Sequence, residues 1–179
     1  MTRYVALLRG INIGGKNKIA MSELKAGFVE QGYIAVSTHL NSGNVIFSSG
    51  AEDRHTLSDI ITSMIKNRFA LDIPILVISQ EELEDILNHA PDWWGDNNKA
   101  IYDNLIFMFP FLSYGEFYHQ VGEPKEGYEK VYHYKNAIFW SFSRKDYQKT
   151  NWWAKTAASN ISDRITIRTA NTVRKIVRM

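Results

Sequence analysis

The sequence predicts an α+β protein of two tandem ferredoxin-like units, each a β-α-β-β-α-β chain with a trailing helix and an antiparallel sheet. Three observations carry this expectation. Strand-like and helix-like segments follow the same order in residues 1–90 and 99–179. Each half holds one tight hairpin signal between two strands, Asn41-Ser42-Gly43 in the first and Lys135-Asn136 in the second. The opening strands, Tyr4-Val5-Ala6-Leu7-Leu8 and Leu105-Ile106-Phe107-Met108-Phe109, are apolar on both faces, so each sheet must be covered on both sides. The halves share little residue similarity. The repeat is one of order.

Arg3–Arg9 reads as the first strand and Ser22–Gln31 as a helix ended by Gly32. Tyr33–Leu40 and Asn44–Ser48 read as hairpin strands. The helix over Arg54–Phe69 places Leu57, Ile60, Ile61, Met64 and Ile65 at helical spacing. Ile73–Ile78 is a strand, and Ser79-Gln80-Glu81-Glu82 is a capping box opening a helix to about His89. Residues 91–98, rich in Pro, Gly, Asp and Asn, form the expected linker between a domain of residues 1–90 and one of 99–179. In the second half Asn104–Phe109 is a strand, and Ser113-Tyr114-Gly115-Glu116 caps a short helix. Glu129–Tyr134 and Ala137–Phe142 form a hairpin, Thr150–Ser159 a helix, Arg164–Arg168 a strand and Asn171–Val177 a helix.

Composition narrows the functional classes. The chain has 179 residues and a formal net charge of +2, too near neutral to imply any partner. Charge is uneven, though: residues 1–95 carry 8 basic and 11 acidic side chains, residues 96–179 carry 13 and 8. There is no Cys, which excludes disulfides, thiolate metal sites and cysteine nucleophiles. Arg9 cuts the first apolar run too short for a signal peptide, and no run of about 18 apolar residues is present. The cytoplasm is the expected compartment. The five histidines lack metal-ligand spacing, no Gly-x-Ser-x-Gly elbow occurs, and no cofactor is implied.

Tyr4-Val5-Ala6-Leu7-Leu8-Arg9-Gly10-Ile11-Asn12-Ile13-Gly14-Gly15-Lys16-Asn17-Lys18 closely resembles the opening of a bacterial family, domain-of-unknown-function family 1697. Ser42-Gly43-Asn44-Val45-Ile46-Phe47 matches its second signature. Thr166-Ile167-Arg168 with Asn171-Thr172 and Lys175 is similar to its third, although the family has Asn and Trp where this chain has Thr169 and Ala170. The resemblance implies an α+β fold and a cytosolic bacterial context. It implies no activity.

Gly10-Ile11-Asn12-Ile13-Gly14-Gly15-Lys16 has the spacing of a P-loop and follows a strand. Asn17 stands where a magnesium-binding hydroxyl is needed, and the next helix begins only near Ser22, which argues against an NTPase. Weaker anion binding survives, because glycines let backbone N–H groups turn inward and Arg9, Lys16 and Lys18 supply charge. In a ferredoxin-like unit the loops after strands one and two lie at the same sheet end. The topology therefore gathers Arg9, Gly10, Asn12, Gly14, Gly15, Lys16, Asn17 and Lys18 with Ser42, Gly43 and Asn44 as a candidate anion site. The structural alternative is that Gly43 supplies a positive φ and Asn12 pins the hairpin. Arg168, Asn171, Thr172 and Lys175 complete the candidate ligand set, against the simpler reading of a solvated basic helix. Trp93-Trp94 and Trp152-Trp153 each divide into one core ring and one rim ring.

Three functional readings follow. The first is a binding module for a phosphorylated small molecule or nucleic acid at the Arg9–Lys18 and Ser42–Asn44 corner. The second is an enzyme on a small phosphorylated or nucleotide substrate. The third is a structural or oligomerisation module, such as the subunit of a homo-oligomer. None involves a membrane.

Overall fold

The computed structural model describes residues 1–50, 53–158 and 160–179. The chain divides into two compact units, Met1–Glu84 with Ile176–Met179, and Asp85–Lys175. Its elements are β1 (Thr2–Leu8), α1 (Met21–Glu30), β2 (Ile34–His39), β3 (Asn44–Ser49), α2 (Arg54–Phe69), β4 (Ile75–Ser79) and α3 (Gln80–Asn88), followed by β5 (Ile101–Met108), α4 (Tyr114–Val121), β6 (Glu129–Tyr134), β7 (Ala137–Ser143), α5 (Trp152–Ala158), β8 (Ile165–Thr169) and α6 (Ala170–Ile176). The sheets have orders β2-β3-β1-β4 and β6-β7-β5-β8, and every neighbouring pair is antiparallel. Both are the ferredoxin-like order, so the α+β expectation of two tandem units holds.

Each sheet is apolar on both faces because its central strand is. In the first unit Val5, Ala6, Leu7 and Leu8 are all fully buried. Ala6 and Leu8 join Leu24 and Phe28 of α1 and Leu57, Ile61 and Ile65 of α2 in one core, while Val5, Leu7 and Ile46 bury the opposite face. Gly27 lets α1 lie close on α2, since a Cβ there would come within 2.6 Å of the Met64 sulfur. Asp53 starts α2, its carboxylate accepting from His55 N, Thr56 N and the Thr56 hydroxyl at 2.9, 3.2 and 2.7 Å. The Ser79 hydroxyl accepts from Glu82 N at 3.1 Å, the cap that its box predicts. Two carbonyls tie the chain end into this unit: Arg3 donates to Met179 O and Gln80 to Val177 O, each at 2.5 Å.

The second unit repeats the plan on an aromatic core of Phe117, Trp140, Phe142 and Trp152, joined by Ile106, Ile138, Ile161 and Ile165. Ser113 caps α4, accepting from Glu116 N at 3.1 Å. Segment 91–98 belongs to this unit, and Trp94 in it is 3% exposed, packed edge-on to Phe139. As each tryptophan pair predicts, Trp94 and Trp152 are buried while Trp153 is 41% exposed.

Two segments depart from the sequence reading. The helix expected over Thr150–Ser159 begins at Trp152, and a 3-10 helix over Arg144–Lys149 precedes it; Ser159 lies outside the described residues. The physical reason is Glu129, buried at the start of β6. Its two carboxylate oxygens accept from Lys125 N, Asn151 N, Trp152 N and Trp140 Nε1 at 2.7, 2.6, 3.0 and 3.1 Å, which fixes where α5 can begin. The strand expected over Tyr33–Leu40 is interrupted, with a register shift between Ile34 and Ser37 and φ of 51° at Ala35.

Candidate functional site

The eleven candidate residues of the first unit sit on one built corner. β1 and β2 both run antiparallel to β3, so the connections that follow them emerge at the same sheet end. Leu8 N donates to Gly43 O at 2.9 Å. Gly43 has φ of 90°, and a Cβ there would lie 2.7 Å from Leu8 Cβ and 3.0 Å from Ile11 Cδ1, so only glycine lets the two loops touch. Asn12 then stitches them: its amide donates to Asn41 O at 2.9 Å and Ile19 O at 3.0 Å, and its oxygen accepts from Ile19 N at 2.8 Å. Asn44, fully buried, donates to His39 O and the Ser42 hydroxyl at 2.7 and 3.1 Å.

From this base rises a miniature hairpin. Asn12 N donates to Asn17 O at 3.1 Å and Lys16 N to Ile13 O at 3.0 Å, around Gly14 and Gly15 at φ of 58° and 75°. Positive φ at both central positions is the type I′ geometry that hairpins favour. Asn17 donates to Gly10 O at 2.9 Å and closes the base. Lys16, Lys18 and Ile13 are exposed on this finger, and Arg9 at its root is half-buried. Its form is not that of a P-loop, because α1 starts at Met21, five residues beyond Lys16, and the lysine amide is spent on the turn.

The other four candidates belong to the second unit, and they do not form a helix face. Arg168 lies on β8, so it shares no helix with Lys175 in α6. Arg168 is 7% exposed and donates to the Thr166 hydroxyl at 2.8 Å and to Ile167 O at 3.0 Å. Burial pushes its guanidinium down to about 10, still charged at neutral pH. Thr172 is buried with its hydroxyl 3.1 Å from that of Thr169, while Asn171 and Lys175 are exposed.

Asn171 also lines a feature that the sequence reading missed, a half-open cleft of about 510 Å³ walled by Gly95, 97–99, 101–103, Arg144 and 169–171. Arg144 lies 4.2 Å above the Tyr102 ring there. Asp103 accepts from the Ser141 hydroxyl at 2.5 Å. A signal was present in the cationic run Arg144-Lys145 directly after an aromatic strand, but without the 3-10 turn nothing aimed it at Tyr102. Among the described residues no cluster of three or more His, Asp or Glu is placed to hold a metal, and no helix is long and apolar enough to cross a membrane.

Fold and corner together define the class: paired ferredoxin-like units with a glycine-tipped, lysine-bearing finger after the first strand. The chain belongs to the family of proteins of unknown function DUF1697, whose profile matches residues 1–139 and so includes both corner motifs. It is similar to a conserved bacterial protein of Streptococcus pneumoniae, with 30% identity and a TM-score of 0.86 over 99% of this chain and 97% of that one. No curated protein matches the sequence.

Proposed function

We propose that this protein binds a phosphate-bearing anion at the first unit's finger. The observation that supports this reading is a division of labour. The finger's amides, Asn12 and Asn17, are consumed in holding its shape, whereas its lysine charges are not. Among the described residues the Lys16 and Lys18 ammonium groups have no ion-pair or hydrogen-bond partner. No acidic residue precedes Glu23 in the sequence, so the stretch that holds Arg3, Arg9, Lys16 and Lys18 carries positive charge only. A rigid turn that presents two lysines and bare glycine backbone suits oxyanion recognition. Amides neither give nor take protons at neutral pH, so the corner suits binding better than turnover.

Calorimetric titration with inorganic phosphate, tripolyphosphate and a single-stranded oligonucleotide tests the reading. Lys16→Ala should weaken tripolyphosphate binding by roughly 1–3 kcal/mol, the worth of a charge-assisted hydrogen bond, while leaving the unfolding midpoint unchanged. Binding that is unaltered in Lys16→Ala and in Lys18→Ala, or absent for all three probes, overturns it. An oligonucleotide that binds with a steep salt dependence assigns the phosphate to a nucleic-acid strand.

A further inference from the structure

We propose that the second unit carries a nucleotide site of its own, with the phosphate in the cleft beside Arg144 and the base stacked on Trp153. The site is independent of the finger, which lies in the other unit. The cleft's volume of about 510 Å³ is in the range of small-ligand pockets. Arg144 is exposed, and its guanidinium stands 4.2 Å over the Tyr102 ring. That cation–π contact holds the guanidinium at the cleft wall, where its N–H donors suit a planar or tetrahedral oxyanion. Among the described residues Arg144 has no carboxylate partner, and neither has Lys99 on the same wall. Among the described residues the one carboxylate lining the cleft, Asp103, is engaged by Ser141. Asn98 also lines the cleft, and with its oxygen held by Ala100 N at 3.0 Å its amide nitrogen is the group left to donate.

Trp153 supplies the other half. It is 41% exposed although the rest of its aromatic cluster is half-buried or buried. Its ring neighbours are Tyr147 at 5.0 Å and 70°, Phe142 at 5.7 Å and 74°, and Tyr102 at 6.4 Å and 60°. All three contacts are edge-on or tilted, and 41% of Trp153 stays open to solvent. Arg144 and Trp153 both contact Tyr102, so the cation and the part-exposed indole share one phenol ring, itself stacked on Phe142 at 5.6 Å. A lone phosphate would use the first and not the second. A neutral aromatic would use the second and not the first. A nucleoside phosphate uses both, and base stacking on an exposed aromatic with a cation at the phosphate is how sequence-tolerant nucleotide recognition works.

The test is calorimetric titration of the full chain with adenosine monophosphate, adenosine and inorganic phosphate, alongside the indole N–H resonance of Trp153. Adenosine monophosphate should bind about 10-fold tighter than either fragment and shift that resonance, as stacking on an exposed aromatic implies. Arg144→Gln and Trp153→Leu should each weaken it about 5- to 10-fold, Trp153→Tyr should retain most of the affinity, and Lys16→Ala should change nothing. An oligonucleotide that competes and binds more tightly identifies a strand end as the source, and one that binds no better identifies the free nucleotide. Equal affinity for inorganic phosphate, full affinity in Arg144→Gln, or an unshifted Trp153 resonance overturns the proposal. Should Trp153→Leu fail to fold, Trp153→Tyr and Arg144→Gln still separate these outcomes.

Discussion

The two units share a sheet order and differ in which connection they enlarge. Between first strand and first helix the first unit has residues 9–20, twelve of them, and the second has residues 109–113, only five. For the second helix the balance reverses. The first unit has the regular sixteen-residue α2, and the second has a six-residue 3-10 helix and the seven-residue α5. Each enlarged connection is pinned by one polar side chain that takes over backbone groups no helix or strand can satisfy. In the first unit that side chain is Asn12, a half-buried amide with three backbone bonds. In the second it is Glu129, 8% exposed, whose carboxylate accepts four N–H groups. An amide offers both a donor and an acceptor, which suits a finger that must touch an N–H and two carbonyls. A carboxylate offers acceptors alone, which suits a helix start where only N–H groups are orphaned. Elaboration of this scaffold thus follows the chemistry of its pins.

The largest expected effect sharpens that contrast. Glu129→Gln replaces one acceptor oxygen by an NH₂ group that faces N–H donors, so two of the four bonds are lost and donors are left buried. Removing one side of a buried charged network costs about 3–5 kcal/mol, and urea unfolding should show a loss of that size. The 3-10 helix and α5 should lose amide protection first. A loss under about 1 kcal/mol would show that α5 holds its start without the carboxylate.

Asn12→Ala should cost less, about 1–3 kcal/mol, because its bonds are neutral and half-buried. Part of that cost is conformational, since Asn12 has φ of 54°. Asn12→Gly separates the two contributions: it loses the same hydrogen bonds but accepts the positive φ, and should be the milder of the pair. Hydrogen exchange at the Ile19 amide, which donates to Asn12, should rise in both variants while the second unit's amides stay unchanged. Protection retained at Ile19 would mean that Asn41 and Ile19 do not need the stitch, and the comparison with Glu129 would fail.

The elements legible in the sequence were those governed by local rules. Helix α2 follows from Leu57, Ile61, Met64 and Ile65, the caps at Ser79 and Ser113 follow from their boxes, and the meeting of the Gly10–Lys18 and Asn41–Asn44 loops follows from strand direction alone. What stayed hidden depends on contacts distant in sequence. Nothing local marks Glu129 as a hub rather than a solvated strand residue, and its partners at 151 and 152 lie more than twenty positions away. The same is true of Arg144 on Tyr102, separated by a whole hairpin. Asn12 was visible as important but ambiguous in kind, because the residue types that bind anions also pin loops. Only its three bonds show how fully it is committed to the loop.

The smallest effect is the response to acid, and it too divides the units. A hydrogen bond from Lys135, joined by one from Tyr134, holds the Asp85 carboxyl below its usual range. Arg164 does the same for Glu116, and the Thr56 side chain and backbone for Asp53. In each case the folded pKa lies below the unfolded one near 3.8 or 4.5, so the stabilisation is present above those values and is lost as pH falls through the folded pKa. Two of the three, Asp85 and Glu116, are ion pairs in the second unit; Asp53 is a helix cap in the first. All three face solvent, so each shifts the midpoint only slightly, and the ion pairs alone are screened by salt. Thermal midpoints measured from pH ~7 down to ~3 should therefore fall mainly below ~4.5, with the second unit's share of the fall flattened by added salt. Asp85→Asn and Glu116→Gln should each flatten the same limb. Asp53→Asn should leave it nearly as steep, because asparagine caps a helix almost as well as aspartate and only one of the three contributions is removed. An acid limb that is indifferent to salt and to Asp85→Asn, yet abolished by Asp53→Asn, would place the acid-sensitive contacts in the first unit and reverse this assignment.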